Sequence, residues 1–330
     1  MGRIPTLKEF DDHGELDPLR IIQYSKSYHN FLKKYDPEYA VEFNPEQEGI
    51  LEFISYRFAS GMRIHELSLL KFLICSPDLM DLWEDHLLNT YGVAIDDLCR
   101  ASIRNVLSNK FFRSMKVSPN LIDTEVEGFK ASPQLVEAIK DETFKDALLD
   151  VINFGIYRYQ LNYSNNYKGT QFNLNKKYTY TDVCWLLNWK VEEVSLNIGG
   201  YKYDKYTNTY PVFINYDKSE EVSASIRYED RFVDQSRLIA ISKSQRTIAS
   251  DDVDNAIHAE ERHILMPLFV RKNKDDKTSK EFYFLGTIKH NGHLQEFIMP
   301  DTDKSAVEIG YHLNTPVENN LYEYITERTI

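Results

Sequence analysis

Gly199-Gly200-Tyr201-Lys202-Tyr203-Asp204, followed after a turn-rich insert by Phe213-Ile214-Asn215-Tyr216, sets the character of the C-terminal half of this chain. Two adjacent glycines open backbone conformations closed to other residues and let a second chain or a ligand approach closely. The insert at 204–208 carries the Asp, Thr and Asn of a hairpin loop, so the Tyr- and Ile-rich pieces on either side read as neighbouring strands. Working outward, segments 194–198, 210–216, 238–241, 265–271, 281–288 and 297–300 also read as strands. A short helix is expected over 181–189, and 157–177 reads as a connection rich in Asn, Tyr and Ser.

The N-terminal half has helical periodicity instead. Asn44-Pro45-Glu46-Gln47 supplies an N-cap, a proline at the first helical position and a Gln able to close a capping box. Ser76-Pro77 and Ser132-Pro133 repeat the start signal ahead of apolar residues at helical spacing, and Gly92 reads as a stop. Segment 121–129 reads as a short strand, which with the helices predicts a winged-helix-like unit. The expected fold is α+β: a helical domain over 1–165, followed by a β-rich barrel domain over 166–330.

The formal net charge of the 330 residues is −12, which argues against a general polyanion binder. The acidity is uneven: residues 1–150 hold 17 basic and 26 acidic side chains, and residues 151–330 hold 22 and 25. A nearly balanced second half leaves room for a base-reading surface with modest, salt-sensitive phosphate affinity. Cys75, Cys99 and Cys184 are widely spaced with no CxxC pair, so buried free thiols in a reducing cytoplasm are expected, with neither a zinc knuckle nor a disulfide framework. No apolar run approaches membrane-spanning length, and the expected setting is cytoplasmic.

Two tyrosines and a carboxylate on adjoining strands are a set able to hold one extruded pyrimidine. Aromatic faces stack on the base, and a carboxylate accepts from the exocyclic amine. That acceptor selects cytosine over thymine. The candidate base-holding residues are Tyr201, Asp204 and Tyr216, with Lys202, Lys243, Gln245, Arg246 and Arg271 as candidate DNA contacts. Each has a plainer reading: tyrosines as core, Asp204 as a turn residue, the 242–246 loop as solvated, and 271–280 as a charged hairpin tip. Tyr228-Glu229-Asp230-Arg231 reads as a helix-start ion pair, and His258 with His263 as a solvated helix face. No GxxxxGK[ST] loop, HxK signature or HExxH spacing is present, so the chain is expected to carry no catalytic centre and no metal site.

Three segments together resemble a known family: Leu196-Asn197-Ile198-Gly199-Gly200-Tyr201-Lys202-Tyr203-Asp204, Arg227-Tyr228-Glu229-Asp230-Arg231-Phe232 and Phe269-Val270-Arg271-Lys272-Asn273-Lys274-Asp275-Asp276. They are similar to the uncharacterised domain that closes many bacterial superfamily-2 helicase-like chains bearing a phospholipase D-type nuclease. SauUSI-type, ATP-dependent type IV restriction enzymes that attack 5-methylcytosine DNA are the best-known of these. The resemblance spans the whole chain, including Gly2-Arg3-Ile4-Pro5-Thr6-Leu7. It implies a helical coupling domain plus a target-recognition domain, with the nuclease and ATPase upstream and ATP and Mg needed there, not in this chain. The second half also resembles SRA domains, readers of flipped 5-methylcytosine. Their Gly-Gly-Tyr-x-x-Asp pocket segment matches Gly199, Gly200, Tyr201 and Asp204, and Tyr216 matches their closing tyrosine across a longer insert. The partner implied is double-stranded DNA with methylated cytosine, with 5-hydroxymethylcytosine left open. The alternative is a protein-interaction or dimerisation module whose tyrosines are core. A nuclease in its own right fits least.

Overall fold

The computed structural model describes residues 4–14, 16–113, 119–217, 229–273, 280–299 and 302–327. Arg227, Tyr228 and the 274–279 tip of the expected charged hairpin lie outside them, as do Gly2 and Arg3 of the opening segment. The chain divides into two compact units, Met1–Asn165 and Asn166–Ile330. Its class is α+β, with a helical N-terminal unit and a curled mixed sheet in the C-terminal one.

The N-terminal unit contains α1 (Leu7–His13), α2 (Pro18–Ser25), α3 (Tyr28–Tyr35), α4 (Pro45–Phe58), α5 (Ile64–Cys75), a 3₁₀ turn (Pro77–Leu82), α6 (Trp83–Tyr91), α7 (Asp97–Leu107), α8 (Pro133–Ala138) and α9 (Glu142–Asn162). The start signals act as their chemistry requires. Asn44 accepts from Glu46 N–H and Gln47 N–H while Gln47 reaches back to Asn44 N–H, so the capping box at α4 is closed. Gly92 ends α6 in the left-handed conformation. The apolar run after Ser132 is not one helix: α8 stops, and Asp141 caps α9 afresh by accepting from Thr143 N–H and Phe144 N–H.

α9 lies at the centre, burying Phe144, Leu148, Val151, Ile152, Phe154 and Tyr159, with α4 and α5 packed on it. Its Gly155 is a point of close approach: a Cβ there would lie 2.7 Å from the Phe58 carbonyl oxygen and 2.7 Å from Leu67 Cδ2. Arg63 and Glu66 form an ion pair inside this unit, both essentially without solvent exposure. The expected strand at 121–129 is absent among the described residues. Only an isolated bridge, Ile122 to Ala131, joins that stretch, so no winged-helix ribbon forms there. Cys99 is buried, but Cys75, at the end of α5, is exposed.

The C-terminal unit contains β1 (Lys177–Tyr178), α10 (Tyr180–Leu186), α11 (Ser195–Ile198), β2 (Val212–Asp217), β3 (Arg231–Asp234), β4 (Arg237–Ile241), α12 (Asp251–Ile257), β5 (Pro267–Asn273), β6 (Phe282–Ile298), β7 (Ser305–Leu313) and α13 (Asn319–Thr326). The sheet order is β2-β5-β6-β7-β4-β3, with β1 also on β6. β2 and β5 run parallel and the other pairs antiparallel. The expected strands at 281–288 and 297–300 are one 17-residue strand, β6, whose register shifts between His290 and Leu294 around Gly292 (φ +91°). The expected strand at 194–198 is instead the single helical turn α11, stopped by Gly199 in the left-handed conformation. Arg231 opens β3 rather than a helix, and its guanidinium meets the buried Glu308 carboxylate at 2.9 Å.

Alternation along the strands gives the sheet two apolar faces. Phe213, Phe269, Phe282 and Phe284 join Phe172, Tyr178 and Tyr180 in an aromatic cluster on one side. Val212, Ile214, Leu268, Val270, Val307 and Ile309 face the other, where Val253 and Ala256 of α12 and Ile325 of α13 complete the core.

Candidate functional site

The site grows from the two glycines. α11 ends with Gly199 N–H donating to Ser195 O at 2.9 Å, and Gly200 follows at φ +93°. Gly200 O then accepts Phe213 N–H at 2.6 Å, and Tyr201 pairs with Val212 in an antiparallel bridge. This turn lays Tyr201 on the same face as Val212 and Ile214, where its ring stacks on Tyr210 with centroids 5.4 Å apart and planes at 16°.

Three expected contact residues and one unforeseen residue meet there. The Tyr201 phenol donates to Asp252 Oδ2 at 3.2 Å and accepts from Lys243 N–H at 2.9 Å. The Lys243 ammonium lies 4.7 Å above the Tyr201 ring. Arg246 Nε donates to Asp252 Oδ2 at 2.7 Å, and Tyr210 donates to the Asp252 carbonyl at 3.0 Å. Asp252, in the first turn of α12, thus ties the 242–246 loop to the tyrosines. Its signal was weak in sequence, because an acidic run at 251–254 reads equally well as ordinary helix-start charge.

Electrostatics distinguish the two cations. Donating its hydrogen bond to the Asp252 carboxylate raises Arg246 above its ordinary range. Burial lowers Lys243, the Asp252 charge opposes that, and Arg246 and Lys202 add to it. Among the described residues no carboxylate stands at ion-pair distance from the Lys243 ammonium. Gly199 makes room for it, since a Cβ there would lie 3.2 Å from Lys243 Cε. Burial also lifts the Tyr201 phenol far above its usual range, so it stays protonated.

The remaining expected residues are elsewhere. Asp204 Oδ2 accepts from Thr207 N–H at 2.8 Å and from its hydroxyl at 2.7 Å, closing its own loop. Thr207 continues to Thr209, which accepts from Trp189 Nε1. Tyr201 and Asp204 therefore contact separate partner sets, while Tyr203 sits with Tyr201 against Tyr210. Asp204 Oδ1 has no hydrogen-bond partner among the described residues. Tyr216 packs on Phe232 at 5.6 Å, four residues along β2 from Val212, roughly 13 Å at the backbone. Lys202 pairs with Glu193 at 2.6 Å. Gln245, exposed at φ +63°, projects from the loop beside Arg246. Arg271 bonds Asn215 and covers Phe282, on the opposite face of the sheet from Tyr201. The described residues contain no cluster of metal-ligating side chains and no helix long and apolar enough to cross a membrane.

Residues 172–325 match the family described as a domain of unknown function, DUF3427. Residues 1–163 match a second such family, DUF8090. No curated protein matches the chain. Among the solved structures that align with it are KRYPTONITE with mCHH DNA, H3(1–15) peptide and SAH, and KRYPTONITE with mCHG DNA and SAH. Identities are 9% and 8% and TM-scores 0.30 and 0.32, over 45% and 78% of this chain and 33% and 44% of theirs. The chain thus spans less than half the length of either.

Proposed function

We propose that the C-terminal unit is a DNA-reading module that recognises 5-methylcytosine in duplex DNA, with the hydroxymethylated base as a second substrate. In this reading it serves a type IV, modification-dependent restriction enzyme whose ATPase and nuclease belong to other parts of the polypeptide. This chain contributes recognition and coupling, not cleavage. The observation that carries it is the half-buried Lys243 ammonium over Tyr201, without a facing carboxylate and beside Arg246 and the exposed Gln245. A desolvated cation lacking a counter-ion gains from a phosphate oxygen, and the aromatic ring beneath it adjoins the two-glycine turn. Asp204 keeps one carboxylate oxygen free for a cytosine amine, whereas Tyr216, packed on Phe232, lies too far along β2 to wall the same cavity as Tyr201.

The competing reading is an interaction module, favoured by one specific observation: Tyr201 and Tyr216 are already engaged, one on Tyr210 and one on Phe232. Titration of matched methylated and plain duplexes separates the two. One methyl group is worth about 0.8 kcal/mol, so a preference of roughly fourfold is expected. Asp204→Ala should abolish that preference while costing only about 1 kcal/mol of stability for the two Thr207 hydrogen bonds it also removes. Equal affinity for the two duplexes at low and moderate salt would overturn base-specific reading. If Tyr201→Ala instead lowers stability by about 3 kcal/mol and no duplex binds even the parent chain, the ring is core and the module reading stands.

A further inference from the structure

Leu196 is 91% exposed, the highest value among the large apolar side chains described, and Val194 beside it is 59% exposed. This is not a frayed tail. Ile198, two residues on, is fully buried, Gly199 N–H closes the turn onto Ser195 O at 2.9 Å, and Asn197 Nδ2 is tied to Glu193 Oε2 at 2.8 Å. The fold therefore holds a bare isobutyl group out in water on a fixed support. The Lys243 side chain packs against Gly199, three residues on from Leu196: a Cβ there would lie 3.2 Å from Lys243 Cε and 3.9 Å from the Leu196 carbonyl oxygen.

A rigid apolar tip beside a cation without a counter-ion fits a partner with an anionic exterior and an apolar, stacked interior. Duplex DNA has both: phosphates for the lysine, and base steps that an aliphatic side chain can prise apart. We propose that Leu196 is a wedge that enters the base stack next to the base being read, while Lys243 holds the adjoining phosphate. This deepens the DNA-reading proposal and rests on it. It also gives α11 a task that neither Tyr201 nor the 242–246 loop performs, since both are bound to Asp252 and to each other.

The test uses the full chain and a methylated duplex with 2-aminopurine beside the target cytosine, whose emission rises when stacking is lost. The parent chain should raise emission severalfold. Leu196→Ser should bind at least tenfold more weakly and leave emission flat, whereas Leu196→Met should restore both. Because the side chain is exposed, thermal unfolding should not change in either variant. Leu196→Ser matching the parent in affinity and emission overturns the wedge and leaves DNA reading intact. Weaker binding with the emission rise preserved also overturns it, reducing Leu196 to a contact. Loss of self-association in Leu196→Ser, with DNA binding unaltered, assigns the tip to a protein partner and refutes the proposal. A parent chain that binds no duplex removes the reading and the wedge together.

Discussion

Asp150 points inward from α9 and accepts the Leu7 N–H at 3.0 Å, fastening the start of α1. Burial pushes its carboxyl up to about 6, against the hydrogen bond from Leu7. His65, wholly buried next to Arg63, is held down at about 3. Folding thus takes up a proton at Asp150 between roughly pH 4 and 6, so this group adds stability as pH falls. Over the same range the unfolded chain binds a proton at His65 that the folded chain refuses, so stability is lost as pH falls. Each slope is at most about 1.4 kcal/mol per pH unit, and the two oppose each other. Asp150→Asn keeps the acceptor for Leu7 and removes one slope. Chemical denaturation at pH 6, 5 and 4 should show the variant losing stability relative to the parent by about 1 kcal/mol per unit; parallel curves would refute the assignment. At this scale sequence reading was uneven. Tyr201 stood out because two glycines precede it, and Lys243 and Arg246 because they share one polar loop. Asp252, which gathers all three, lies 51 residues from Tyr201, and nothing local marks such a partner.

At the level of elements, caps and stops were legible because their chemistry is contained within four residues, as at Asn44 to Gln47 and at Gly92. The state of 194–198 was not. Val-Ser-Leu-Asn-Ile suits a strand by composition, and only the left-handed Gly199 that follows makes it a helical turn. β7 escaped notice because Ala306 to Tyr311 are buried on both faces and show no alternation to read. Helix crossings are equally hidden, and Gly155 and Gly49 illustrate the point. Both lie inside helices, where alanine is favoured by up to about 1 kcal/mol. A Cβ at 49 meets nothing within 4 Å, but one at 155 strikes the Phe58 carbonyl oxygen. Gly49→Ala should therefore raise the melting temperature slightly. Gly155→Ala should lower stability by about 1–3 kcal/mol as α9 is forced off α4 and α5. Thermal melts of the pair decide it, and a stabilised Gly155→Ala would mean that the helices yield freely.

For the whole molecule, the division into a helical half and a β-rich half followed from periodicity and composition. The curl of the sheet did not, since it depends on which strands pair across long stretches of chain. Charge bears on function at this scale. Residues 166–330 carry 21 basic and 25 acidic side chains, so under the proposed DNA-reading function bulk attraction would not hold the duplex and a few placed cations would have to. With Lys202, Lys243 and Arg246 as the phosphate contacts, the logarithm of affinity should fall against that of salt with a slope no steeper than about −3. Anisotropy titrations across a salt series measure this, and a slope near twice that value would place the main contacts on another surface.

β6 has a consequence of its own. Along its first half it is sewn to β1 and β5, and along its second to β7. An outer ribbon such as β3 is free to peel away singly, but withdrawing β6 undoes both wings of the sheet at once. Phe284 and Ile288 should thus sit in the last part of this unit to melt. A pull applied at one wing would reach the other through a single continuous thread.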